Sequence, residues 1–81
     1  MKTTDIEQLI KQHLPKAKVD VTSDDGCHFD AVIISKDFDG KSLLQRQRLV
    51  YQAVGEDIKD GTIHALSLKT YTPEEQETKN A

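Results

Sequence analysis

The chain has 81 residues, of which 36% are hydrophobic and none is tryptophan, so it can enclose one modest core and has no length to spare for a second domain. A formal net charge of -3 lacks the basic footprint of most nucleic-acid modules. The longest apolar run, Ala31-Val32-Ile33-Ile34, falls far short of the roughly 20 residues a membrane-spanning helix needs.

In chain order, Thr4-Asp5-Ile6-Glu7 reads as a capping box opening a first helix. Ile6, Leu9, Ile10 and Leu14 line one face of that helix, and Pro15 ends it. Ala17, Val19 and Val21 alternate with Lys18, Asp20 and Thr22, the period of a strand with one covered face. Ser23-Asp24-Asp25-Gly26 is a turn. A second strand follows from Phe29 to Ser35, apolar on both faces and so predicted to lie well inside the sheet, paired with the first strand as an antiparallel hairpin.

Asp37-Phe38-Asp39-Gly40 carries turn chemistry, and Ser42 is a cap for a second helix. Its predicted apolar line is Leu43, Val50, Val54 and Ile58, with Gln45, Arg46, Gln52 and Glu56 toward water and Gly55 a point of bending. Past Asp60-Gly61, Leu66 and Leu68 share a strand face with His64 and Thr70, the face expected beneath the helices. Thr72-Pro73-Glu74-Glu75 can open a short last helix, with 77–81 expected as a polar, fraying tail after a single domain over 1–76. These elements predict an α+β fold in which two main helices cover one face of a three-stranded mixed sheet.

Cys27, His28 and His64 are the metal-binding candidates, since thiolate and imidazole suit zinc, copper and iron-sulfur centres, while His13 reads as a solvated residue in the last turn of the first helix. Cys27 and His28 are adjacent, so in extended backbone they diverge. Taken alone, Cys27 reads as a small, semi-buried turn thiol, His28 as an exposed strand-start residue and His64 as a half-buried histidine bonded to backbone. A lone cysteine forms no internal disulfide, which suits a reducing, cytoplasmic setting, and the amino terminus lacks a secretory pattern. No nucleophile elbow, phosphate loop or dinucleotide fingerprint occurs, so the chain is expected not to be an enzyme. Lys36, Lys41, Arg46 and Arg48 gather positive charge near the second helix and are the candidate contacts to phosphates.

Four stretches, Gly26-Cys27-His28-Phe29, Phe38-Asp39-Gly40-Lys41, Leu44-Gln45-Arg46-Gln47-Arg48-Leu49-Val50-Tyr51 and Ile63-His64-Ala65-Leu66 through Thr72-Pro73-Glu74-Glu75, together resemble the BolA-like family. The short histidine-phenylalanine loop looks most like its IbaG-type bacterial branch. The resemblance implies a topology similar to the class II KH domain. It also implies a monothiol glutaredoxin partner, with a bridging [2Fe-2S] cluster shared with glutaredoxin and glutathione and absent from the isolated chain. His64 matches the family's carboxy-terminal histidine ligand, and the loop ligand is Cys27 or His28, a choice left open here. The chain departs from related sequences in carrying Gln76 where they often have tryptophan. The expected function is an adaptor in iron-sulfur trafficking or iron sensing, with transcriptional regulation through nucleic acid as the alternative. Self-association into a homodimer stays open.

Overall fold

The computed structural model describes residues 2–59 and 65–80. Helix α1 spans Thr3–His13 and buries Ile6 and Ile10 completely. Its cap lies two residues earlier than the Thr4 box predicts. Lys2 holds the cap position, and its backbone N–H donates to Asp5 Oδ2 at 2.9 Å. A charged carboxylate at the positive end of the helix makes the stronger acceptor, and Glu7 is left to pair with Lys11 at 3.1 Å.

Strand β1, Lys18–Thr22, runs antiparallel to β2, His28–Ile34, with Val19 opposite Ile33 and Val21 opposite Ala31. Strand β3, Ala65–Tyr71, lies parallel to β2 on its other side, pairing Phe29 with Leu66 and Ala31 with Leu68. The sheet is therefore mixed, in the order β1-β2-β3, with the doubly apolar strand at its centre. The predicted hairpin and the phase of Leu66 and Leu68 both hold, these two being partly buried against the core.

A parallel pair needs a long crossover, and the segment after β2 supplies one. Ser35 caps a 3₁₀ turn over Lys36–Phe38, its Oγ accepting the Asp37 N–H at 3.1 Å. The turn drives Phe38 to full burial in the core, although its surroundings read as turn chemistry alone. Helix α2, Leu43–Lys59, opens with a Ser42–Gln45 box: Gln45 Oε1 accepts the Ser42 N–H at 2.8 Å, and Ser42 Oγ accepts the Gln45 N–H at 3.2 Å. It continues through Gly55.

Val50 and Val54 enter the core as expected, but Leu43 does not, being 61% exposed beside Leu44 at 56%. Among the described hydrophobic side chains, those of α2 pack on the core only from Leu49 onward, leaving the leucines of its first turn beyond the covered layer. Ile58 lies outside the described side chains. Helices α1 and α2 share one face of the sheet, the face that carries Val21, Phe29, Ala31 and Ile33. Helix α3, Pro73–Asn80, is capped by Thr72, whose Oγ1 accepts the Glu75 N–H at 3.2 Å while Glu75 Oε1 accepts the Thr72 N–H at 2.9 Å. It continues into the segment expected as a tail.

Candidate metal centre

The loop entering β2 is built around one carboxylate. Ser23 Oγ accepts the Gly26 N–H at 2.9 Å, and Gly26 turns the chain at φ 74°, a left-handed conformation that favours glycine. Asp25 Oδ1 then accepts the backbone N–H groups of Cys27 and His28, both at 2.8 Å. Its Oδ2 lies 2.6 Å from His28 Nδ1. The His28 amide, the His28 ring and the Cys27 amide, in that order, hold the Asp25 carboxyl well below the usual carboxylate range. Asp25 was read from the sequence as a turn former only. An aspartate followed at once by glycine and three residues later by histidine was the signal for this arrangement.

Cys27 is exposed and unpaired by disulfide, and the His28 side chain is 70% exposed. Both sit at the end of the sheet where β2 begins, with His28 opposite Ala65 in the ladder. His64 lies outside the described residues, but it is covalently joined to Ala65. Among the described residues no group of three or more Cys, His, Asp or Glu side chains is arranged to hold a metal ion. With His64 added, the candidate set comes to three soft or borderline donors, fewer than the four a [2Fe-2S] centre takes, and the remaining histidine, His13, ends α1. That donor set fits part of a shared cluster and falls short of a whole one. A shallow cleft of about 470 Å³ lies at the other end of β2, lined by Lys16, Lys18 and Lys36 and by no cysteine or histidine.

The four candidate basic residues separate. Lys36, Lys41 and Arg48 are exposed. Arg46 does not face water as predicted: its side chain is 12% exposed and its two terminal nitrogens donate to Glu75 at 2.7 and 3.1 Å. Its Nε also donates to the Lys41 carbonyl at 3.0 Å, and the guanidinium lies 5.9 Å from the centre of the Phe38 ring. A rigid fork facing a carboxylate from α3 outcompetes solvent for this cation.

The Arg46 guanidinium, and after it the Thr72 amide, lower the Glu75 carboxyl from 4.5 to about 2. A lowered folded-state pKa contributes stability that is complete above 4.5 and is lost as pH falls toward 2. The urea midpoint of the parent is therefore expected to exceed that of Glu75→Gln at pH 7, the gap closing between about pH 4.5 and 2. A gap that persists undiminished at pH 2 would show that the Arg46 tie contributes nothing.

Residues 2–75 match the family described as BolA-like protein. The chain belongs to the BolA-like family. This BolA-like chain is 39% identical over 75 residues to the acid stress protein IbaG of Escherichia coli, covering 93% of the chain and 88% of that relative. It is 40% identical to the chloroplastic protein BOLA1 of Arabidopsis thaliana over 93% of its own length, but spans only 46% of that longer protein. Its fold superimposes on a bolA protein homologue from Coxiella burnetii with a TM-score of 0.83 and 46% identity, covering 95% of this chain and 97% of that one. For yeast Fra2 the TM-score is 0.70 and the identity 36%, over 94% of this chain and 84% of that one. The α+β arrangement of three helices and a three-stranded mixed sheet is thus the BolA fold. Among the described residues no helix is long and apolar enough to cross a membrane.

Proposed function

We propose that this BolA-like chain is a non-catalytic adaptor that binds a monothiol glutaredoxin and donates ligands to a [2Fe-2S] cluster shared with glutaredoxin and glutathione, in iron-sulfur trafficking or iron sensing. The observation that carries the reading is the exposed Cys27–His28 pair, held where the β2–β3 ladder begins, with His28 opposite Ala65. Donors exposed at a rigid sheet end suit a metal that also takes ligands from a second protein. A resident metal would instead call for a closed set, and the described residues hold none. The chain's part is to supply His64 and one loop side chain as ligands. The cluster supplies the electron-accepting iron. A reducing cytoplasm suits the partnership, because thiols and glutathione stay reduced there.

The nucleic-acid alternative loses ground because Arg46, one of its four cations, is spent inside the fold. The test of the adaptor reading is coexpression with a monothiol glutaredoxin. The complex is expected to be coloured and to absorb in the visible, with the colour depending on glutathione, whereas the chain reconstituted alone stays colourless. A coloured monomer formed without glutaredoxin and glutathione would overturn the reading. Affinity for duplex DNA that falls steeply with salt, alongside a colourless complex, would favour the alternative.

A further inference from the structure

The carboxylate of Asp25 is fixed before it meets the histidine ring, because two backbone amides already hold its Oδ1 at 2.8 Å. Its Oδ2 therefore has one place to sit, 2.6 Å from His28 Nδ1. An ionised carboxylate only accepts hydrogen bonds, so the proton at this contact belongs to Nδ1, and the lone pair of the neutral ring is left on Nε2. We propose that Asp25 is a positioning residue that locks the His28 ring with its proton on Nδ1, making His28 Nε2 the donor atom this loop presents to iron.

For its ligand the inference rests on the adaptor reading; for its geometry it does not. The alternative loop donor, Cys27, gives the same carboxylate only its backbone N–H, and its thiol makes no hydrogen bond or ion pair among the described residues. Nothing there aims the sulfur, whereas the His28 ring meets a carboxylate that the Cys27 and His28 amides hold in place. A histidine whose second nitrogen donates to a carboxylate is a more basic ligand with a fixed ring plane. The ring also gives up less freedom on binding, because its orientation is set beforehand. The exposed side chain leaves Nε2 open to a partner's face.

Two arms test this. In the isolated protein, a ¹⁵N-resolved spectrum of the imidazoles above pH 8 is expected to show His28 as the Nδ1-protonated tautomer. Asp25→Asn should lose that preference while its far-ultraviolet circular dichroism stays that of the parent. A parent ring protonated on Nε2 overturns the inference, and because this arm contains no cluster it does so whatever becomes of the adaptor reading. In the complex with monothiol glutaredoxin and glutathione, His28→Ala should shift the visible circular dichroism and Cys27→Ser should not. Asp25→Asn should shorten cluster lifetime by about 10- to 100-fold. The reverse assignment, with Cys27→Ser shifting the spectrum and His28→Ala silent, overturns it as well. A parent complex that assembles no cluster would instead sink the adaptor reading and leave the tautomer measurement to decide the role of Asp25.

Discussion

Phe38→Ala is expected to destabilise the protein by about 3 to 5 kcal/mol, the range for truncating a fully buried aromatic ring. The ring is completely enclosed, reaches the core from a short 3₁₀ turn and has the Arg46 guanidinium against its face. Removing it leaves a cavity in the core and takes away the surface on which Arg46 lies. A domain of this size is held by only about 5 to 10 kcal/mol, so the variant should lose roughly a third or more of its stability. Urea unfolding at neutral pH reads the loss as a lower midpoint with an unchanged slope. Phe38→Leu, which keeps most of the volume, should recover the greater part of it. A loss below 1 kcal/mol for the alanine variant would mean that the turn carrying Phe38 collapses to fill the space and that the ring is no anchor.

That Phe38 was not visible as a core residue follows from where sequence signals live. Strands announce themselves by a period of two and helices by a period near 3.6. A single aromatic between Asp37 and Asp39 has no period at all, so the flanking turn formers dominate the reading. By contrast, the alternation in β1, the doubly apolar β2 and the phase of Leu66 and Leu68 in β3 were all legible, because each is a local pattern that packing then preserved. The Ser42 and Thr72 caps were legible for the same reason, their partners lying three residues away. The Arg46–Glu75 pair joins residues 29 apart and depends on where α3 docks, which no window of sequence displays. Leu43 shows the opposite failure, continuing the α2 stripe in sequence at a point where the helix has outrun the layer it covers.

The candidate site divides along the same line. Cys27 and His28 were singled out by residue type, and the fold does place them together at the sheet end. Their inequality depends on Asp25, whose exposed carboxylate could as well have met neither; the backbone turn at Gly26 brings it onto the His28 ring. Residue type names the chemistry available, and the turn selects which atom can use it. Resemblance to the family picked out His64, since a histidine in phase with Leu66 and Leu68 otherwise reads as an ordinary half-buried ring.

His64→Ala is expected to change the cluster and spare the fold. Of the candidate donors Cys27, His28 and His64, His64 is the one the family pattern marks as a ligand, and it is bonded to Ala65, whose ladder partner is His28. Losing an imidazole from iron leaves one coordination site to water or to a weaker donor, which exposes the cluster to exchange and oxidation. In the complex with a monothiol glutaredoxin and glutathione, the visible circular dichroism should lose its parent shape, and the colour should decay at least about tenfold faster. In the isolated variant the urea midpoint should stay close to the parent's, because a group that serves a partner contributes little to the core of the free chain. The two measurements separate the possible roles of the ring. If the spectrum and lifetime of the complex match the parent while the midpoint of the isolated variant falls sharply, His64 is a structural histidine, and the iron takes its ligand from elsewhere.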